Sequence, residues 1–276
     1  MKSDLAALGA VLLWASLASL GASLGHIPPL LLTGIGLLLG SLISLPLAKF
    51  KLSALKVRPK ILAIGVYGLF GFHFALFAAL QNAPAVQANL VNYLWPLLIV
   101  VLAPLFIKTK LLPRHVIAAV IGFSGAAIAI STAGELSAGL EIGYLYAFFA
   151  AVIWATYSLL TKKFGNFPTS AVGSFGFVSG VLALVAHFVL EDQAVIAASD
   201  WLLLIPMGFG ALGGAFYLWD YALKNGSAQR VGIISFATPV ISTLLLVVTQ
   251  GEQPTIWLVL AAGLIVTAAW IGRERV

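Results

Sequence analysis

The chain has 276 residues, of which 61% are hydrophobic and 9% charged, against about 25% charged in an average soluble protein, so a water-exposed globular fold is excluded. The formal charge of +6 does not point to nucleic acid, because the basic residues lie in short segments between apolar runs and form no patch. With no cysteine, disulfides, iron–sulfur sites and thiol chemistry are excluded as well.

In chain order, the first apolar run, 5–25, follows Met1-Lys2-Ser3-Asp4. It is longer than the roughly 7–15 residues of a signal-peptide core, and a later helix repeats it, so it is read as a retained structural helix. Apolar runs bounded by charge, Pro or Gly predict helices over 4–25, 28–48, 59–81, 84–107, 113–132, 139–161, 169–190, 200–223, 227–249 and 254–272. Spans of about 20 apolar residues each would fill the chain and leave no room for a separate soluble domain.

The segments 1–3, 49–60, 108–114, 161–168, 224–230 and 273–276 hold all 15 Lys and Arg. The alternate loops carry Glu135, Glu141, Glu191, Asp192, Asp200 and Glu252 and no basic residue. Basic residues that merely collected in loops would not skip every second one, so the bias places both termini in the cytoplasm of a bacterial inner membrane.

Ala79, Asn82, Ala85 and Pro96 match Ala222, Asn225, Ala228 and Pro239, each pair 143 residues apart. Leu13-Trp14-Ala15-Ser16 resembles Ile153-Trp154-Ala155-Thr156 at an offset of 140, and a three-residue insertion reconciles the two. The expectation is two five-helix copies, 1–136 and 137–276, which the odd number of spans forces to be antiparallel. Asn82 then faces outside and Asn225 inside, in agreement with the charge bias.

Two antiparallel copies, a Trp near the middle of the first helix and a short Asn-containing turn between the third and fourth together resemble the drug/metabolite transporter superfamily. The resemblance covers the whole chain. Within that superfamily the EamA-type repeat is the nearest, and residues 87–96, QANLVNYLWP, are similar to the fourth helix of YddG-type aromatic amino-acid exporters. The resemblance implies an all-α, basket-shaped membrane protein of ten transmembrane helices around a central cavity, with helices 1, 3, 4, 6, 8 and 9 lining it. It also implies export of small metabolites by alternating access.

Inverted-repeat transporters bind their cargo near the midplane, so polar and aromatic residues at mid-helix depth are the pathway candidates. Asn89, Asn92, Tyr93 and Pro96 share one helical face. Their mates at +143 are Gly232, Ser235, Phe236 and Pro239, so the site is asymmetric. Asn and Ser equally serve to glue helices together by hydrogen bonds. Phe70, His73, Phe74 and Phe77 fall on one face of the third helix, and the matching positions on the eighth are Gly213, Phe216, Tyr217 and Asp220. His73 is the candidate proton relay, with a structural, hydrogen-bonded imidazole as the alternative. Trp14 lies too deep for an interfacial belt, and Trp154, Tyr157 and Ser158 supply the matching surface. His187 and Asp220 sit nearer helix ends, and Asp220 has Lys224 at i+4 as an available partner.

No Lys or Arg is expected inside the membrane, so phosphates and other strong anions lack a fixed counterion. No glutamate lies in the first helix, which departs from the small multidrug relatives and from export of lipophilic cations. A neutral or zwitterionic solute with an apolar body remains: aromatic and other neutral amino acids, stacked on rings and hydrogen-bonded by Asn and Ser. The lack of a buried carboxylate points to facilitated efflux. The scattered His26, His73, His115 and His187 make neither a metal site nor an acid–base pair, so the chain is not read as an enzyme and no cofactor is implied. A channel-like facilitator, an exporter of other neutral metabolites or drugs, and a lipid scramblase remain as alternatives. Lipid and the transported small molecule are the expected partners, and one ten-helix domain suffices as a monomer.

Overall fold

The computed structural model describes residues 2–131, 141–250 and 255–272; Glu135, Glu252, Arg273 and Arg275 lie outside them. The described residues are all-helical. Eight helices are long and apolar enough to cross a membrane: α3 (Pro29–Leu47), α4 (Pro59–Gln81), α5 (Gln87–Ile107), α6 (Pro113–Ser131), α7 (Ile142–Lys163), α8 (Ala171–Leu190), α9 (Ala198–Asn225) and α10 (Ala228–Leu245). Two shorter segments, α1 (Lys2–Ala15) and α2 (Leu17–Ser23), precede them, and α11 (Ile256–Ile271) follows. The helix expected over 4–25 is therefore divided at Ser16, whose hydroxyl donates back to the Leu13 carbonyl at 2.7 Å, a bond of the kind that competes with and bends a helix.

Local chemistry sets the starts. Pro29, Pro59 and Pro113 each open a helix, where a missing N–H costs nothing and φ is already suited. Ser227 and Thr255 cap α10 and α11 by accepting from the backbone N–H groups of Arg230 and Leu258. Inside two helices the backbone widens by one residue into a π-turn, at Tyr67–Gly71 in α4 and Gly210–Gly214 in α9, and the two lie 143 residues apart. The α5 and α10 ladders are interrupted at 93–94 and 236, three residues before Pro96 and Pro239, which cannot donate to them.

In the bundle α3 runs along α8, α6 along α11, α7 against α4 and α5, α1 against α9, and α5 against α10. Without a hydrophobic force between helices in lipid, close packing has to hold them, and small residues permit it. A Cβ on Gly40 would meet Gly213 Cα at 2.5 Å and the Gly208 carbonyl at 2.9 Å, so α3 and α9 touch backbone to backbone.

The basic segments gather at one end. Arg230 donates to Asp4 at 3.1 Å and to the Ala269 carbonyl at 3.4 Å, joining both chain ends. Gln229 donates to Thr109 at 3.1 Å, Lys162 donates to the Leu223 and Gly226 carbonyls at 2.6 Å, and Ser174 donates to the Leu55 carbonyl at 2.6 Å. At the opposite end Glu191 accepts from the Leu30 and Leu31 N–H groups at the start of α3 and from His187 at 2.9 Å. Asp200 there pairs with His26 at 3.0 Å.

Candidate functional site

Four tryptophans from four helices meet at the centre of the bundle: Trp14 of α1, Trp95 of α5, Trp154 of α7 and Trp219 of α9. Trp14 lies 6.4, 5.6 and 5.2 Å from Trp95, Trp154 and Trp219. Trp95 lies 6.3 and 5.5 Å from Trp154 and Trp219, and Trp154 and Trp219 are stacked at 6.3 Å. Most pairs are edge-on or tilted, the arrangement that ring quadrupoles favour at about 0.5–1.5 kcal/mol each beyond area burial. Phe216 joins at 5.9 Å from Trp14 and Phe72 at 5.1 Å from Trp154.

Several expected pathway residues attach to this cluster. Tyr157 lies 5.2 Å from Trp154, and Ser158 accepts the Trp219 indole N–H at 3.1 Å. His73 lies 6.1 Å from Phe216 and 6.2 Å from Phe77, while Tyr93 lies 6.5 Å from Trp95 and shares a hydrogen bond with Thr238. His73 donates from Nδ1 to the Leu69 carbonyl at 2.6 Å, inside the π-turn, which fixes its tautomer and makes Nε2 an acceptor. That local partner favours the structural reading of this imidazole.

Four further candidates remain. The Tyr217 hydroxyl donates to the Gly40 carbonyl of α3 at 3.2 Å. Ser235 donates to the Gly232 carbonyl at 2.6 Å, a bond within its own helix. Asn89 is partly buried. Asn92 is buried, and its Oδ1 has no hydrogen-bond partner.

Sequence reasoning missed Trp95, Trp219 and Phe72, and named Phe216 only as the mate of His73. Trp95 carried the same mid-helix signal as Trp14. Trp219 lies six residues from the end of α9, the depth of an interfacial belt, which disguised it. Where a central cavity was expected, the rings are in mutual contact, and the crevice among Leu69, Phe216 and Tyr217 has no room for a water molecule.

Asp220 corrects the expectation that no carboxylate is buried. It is 2% exposed and accepts from Lys224 at 2.8 Å and Thr169 at 2.7 Å. Lys224, 13% exposed, also donates to the Phe167 carbonyl at 2.9 Å and lies 3.5 Å from that ring. The pair sits near the basic end, with Asp220 directly after Trp219 and Lys224 one turn further on. Among the described residues no group of three His, Asp or Glu could hold a metal ion. What the cluster offers is flat apolar surface from both halves of the chain, with hydroxyl, phenol and amide groups beside it.

The EamA-like transporter family matches residues 1–131 and 141–271. The chain is 38% identical over 266 residues to the aromatic amino acid exporter YddG of Ancylobacter novellus, covering 94% of this chain and 93% of that protein. It is 27% identical over 169 residues to YddG of Salmonella typhimurium, covering 58% and 57% of the two chains. A solved crystal structure superposes with a TM-score of 0.92 at 37% identity, covering 99% of this chain and 97% of the other.

Proposed function

We propose, starting from the fact that the chain belongs to the EamA-like transporter family and is a membrane exporter of small metabolites and not an enzyme, that its cargo is aromatic and other neutral amino acids. The observation that carries this substrate class is the meeting of Trp14, Trp95, Trp154 and Trp219, a surface on which a flat apolar side chain can stack. The name of the 38% identical relative supports the same class.

The reading extends to architecture. Ten transmembrane helices in two inverted five-helix repeats, 1–136 and 137–276, are built by counting α1 with α2 as the first span and α11 as the tenth. The equal offset of the π-turns supports this, as does the division of the family match at 132–140. The packing is also unchanged when the halves are exchanged: α1 on α9 mirrors α7 on α4, while α3 with α8, α5 with α10 and α6 with α11 pair across. The gathering of basic segments at one end supports cytoplasmic termini in a bacterial inner membrane. The pathway is formed by Trp14, His73, Phe77, Asn89, Asn92, Tyr93, Trp154, Tyr157, Ser158, Tyr217 and Ser235. The cargo passes when the ring cluster parts into a central cavity, as alternating access within a monomer.

Counterflow in liposomes with purified protein tests the function, using radiolabelled tryptophan, phenylalanine, threonine and glutamate. Saturable uptake of the first three, weakened by Trp14→Leu and absent for glutamate, is the expected result. Flux of none of the four would overturn the amino-acid reading, and flux that does not saturate would replace the carrier with a channel.

A further inference from the structure

The interruptions in α5 and α10 are not chemically alike. Proline has no N–H, so Pro96 leaves the carbonyl of Asn92 without its ladder donor and Pro239 does the same to Ser235. In α10 the loss is made good, because Thr238 donates its hydroxyl to the Ser235 carbonyl at 2.8 Å. The residue at the place of Thr238 in α5, 143 positions earlier, is Trp95, which has no hydroxyl to give. Asn92 thus presents a main-chain carbonyl stripped of its helical donor. On the same residue, 4% exposed, the side-chain Oδ1 is buried without a partner. A buried acceptor left unmade is costly, and this one lies one turn of helix from Trp95.

From this we infer that Asn92 is the specificity residue that receives the α-ammonium group of the cargo, through its Oδ1 and its main-chain carbonyl, while the ring of the cargo stacks at the tryptophans. The inference rests on the amino-acid reading and deepens it. Two acceptors and no cation suit an ammonium, which brings three donors; they fall short of the roughly six oxygens that a hard metal ion takes. A carboxylate is repelled by the same two oxygens. Hydrogen bonds to a charged group are about twice as strong as neutral ones, so the pair discriminates cargo with an amine from cargo without it.

The test is competition for binding of labelled tryptophan to purified protein, with unlabelled tryptophan and with indole-3-propionate, which keeps the ring and carboxylate and lacks the amine. The wild type is expected to prefer tryptophan by tenfold or more. Asn92→Leu is expected to lower that preference about tenfold, while affinity for indole-3-propionate stays within about twofold. Asn92→Asp, which keeps two oxygen acceptors, is expected to hold or raise the preference. Wild-type affinities that are equal for the two ligands, an Asn92→Leu variant with the wild-type preference, or tryptophan binding that requires sodium would each overturn the assignment while leaving amino-acid transport intact. If Asn92→Leu does not fold, a lowered preference in Asn92→Asp overturns it. No tryptophan binding by the wild type removes the transport reading, and this assignment with it.

Discussion

Removing Lys224 as Lys224→Met strands Asp220 in a place that is 2% exposed. Its Oδ2 keeps the Thr169 hydroxyl at 2.7 Å and loses the ammonium at 2.8 Å, while Oδ1 already has no partner. A buried charge deprived of its counterion costs about 3–5 kcal/mol. The reverse change is milder. Asp220→Asn leaves Lys224 with the Phe167 carbonyl at 2.9 Å and the Phe167 ring at 3.5 Å, and at 13% exposure its head group still reaches water, so about 1–2 kcal/mol is expected. Combining both changes removes the stranded carboxylate, and the double variant is expected to be more stable than Lys224→Met alone. Thermal inactivation of detergent-purified protein, followed by the monodisperse fraction after heating, ranks the three variants and the wild type. A double variant whose loss equals the sum of the two single losses would refute the coupling, since additivity marks independent sites.

Gly40→Val places a side chain against the Gly213 Cα and the Gly208 carbonyl, atoms that cannot move aside, so folded yield should fall sharply. Gly263→Ala, with nothing within 4 Å of its Cβ, should not lower it. Trp219→Phe deprives the buried Ser158 hydroxyl of its donor at 3.1 Å and should cost about 1–2 kcal/mol of stability by the same heating assay. Glu191→Gln leaves the first N–H groups of α3 with a neutral acceptor and His187 without its carboxylate; a loss of about 0.5–2 kcal/mol is expected. Asp4→Asn breaks a partly exposed pair with Arg230 and should change stability by less than about 1 kcal/mol, an effect that 1 M salt erases.

The sorting of charge between the two ends was legible in the sequence because charged side chains cannot hide in lipid, and position along the chain alone decides their depth. The repeat offset, read from a few matching residues, also locates the π-turns and the helix interruptions. The side-chain faces were less legible. A π-turn adds one residue and rotates everything after it by about 100° relative to an unbroken helix, so a stripe read at helical spacing splits. In α4 the turn holds Phe70 and so separates it from His73, Phe74 and Phe77; within the regular helix that follows, the single step from His73 to Phe74 takes the latter to 40% exposure. In α9 Phe216 and Trp219, three residues apart after the corresponding turn, meet Trp14, while Tyr217, one step of about 100° from Phe216, bonds α3. Asp220 was misjudged for a related reason: counting from the helix end gives depth in the membrane, but the cover over this carboxylate comes from Thr169 and Phe167, about fifty residues away in the chain and visible only in the fold.

Four indoles held at 5.2–6.4 Å from one another, most of them edge-on or tilted, are close enough for their electronic transitions to couple. The protein therefore carries its own optical gauge: the ultraviolet circular dichroism of the cluster depends on the mutual angles of rings from four helices. Parting those rings changes the spectrum without any attached label, so the time course of opening can be followed on unmodified protein in a lipid bilayer.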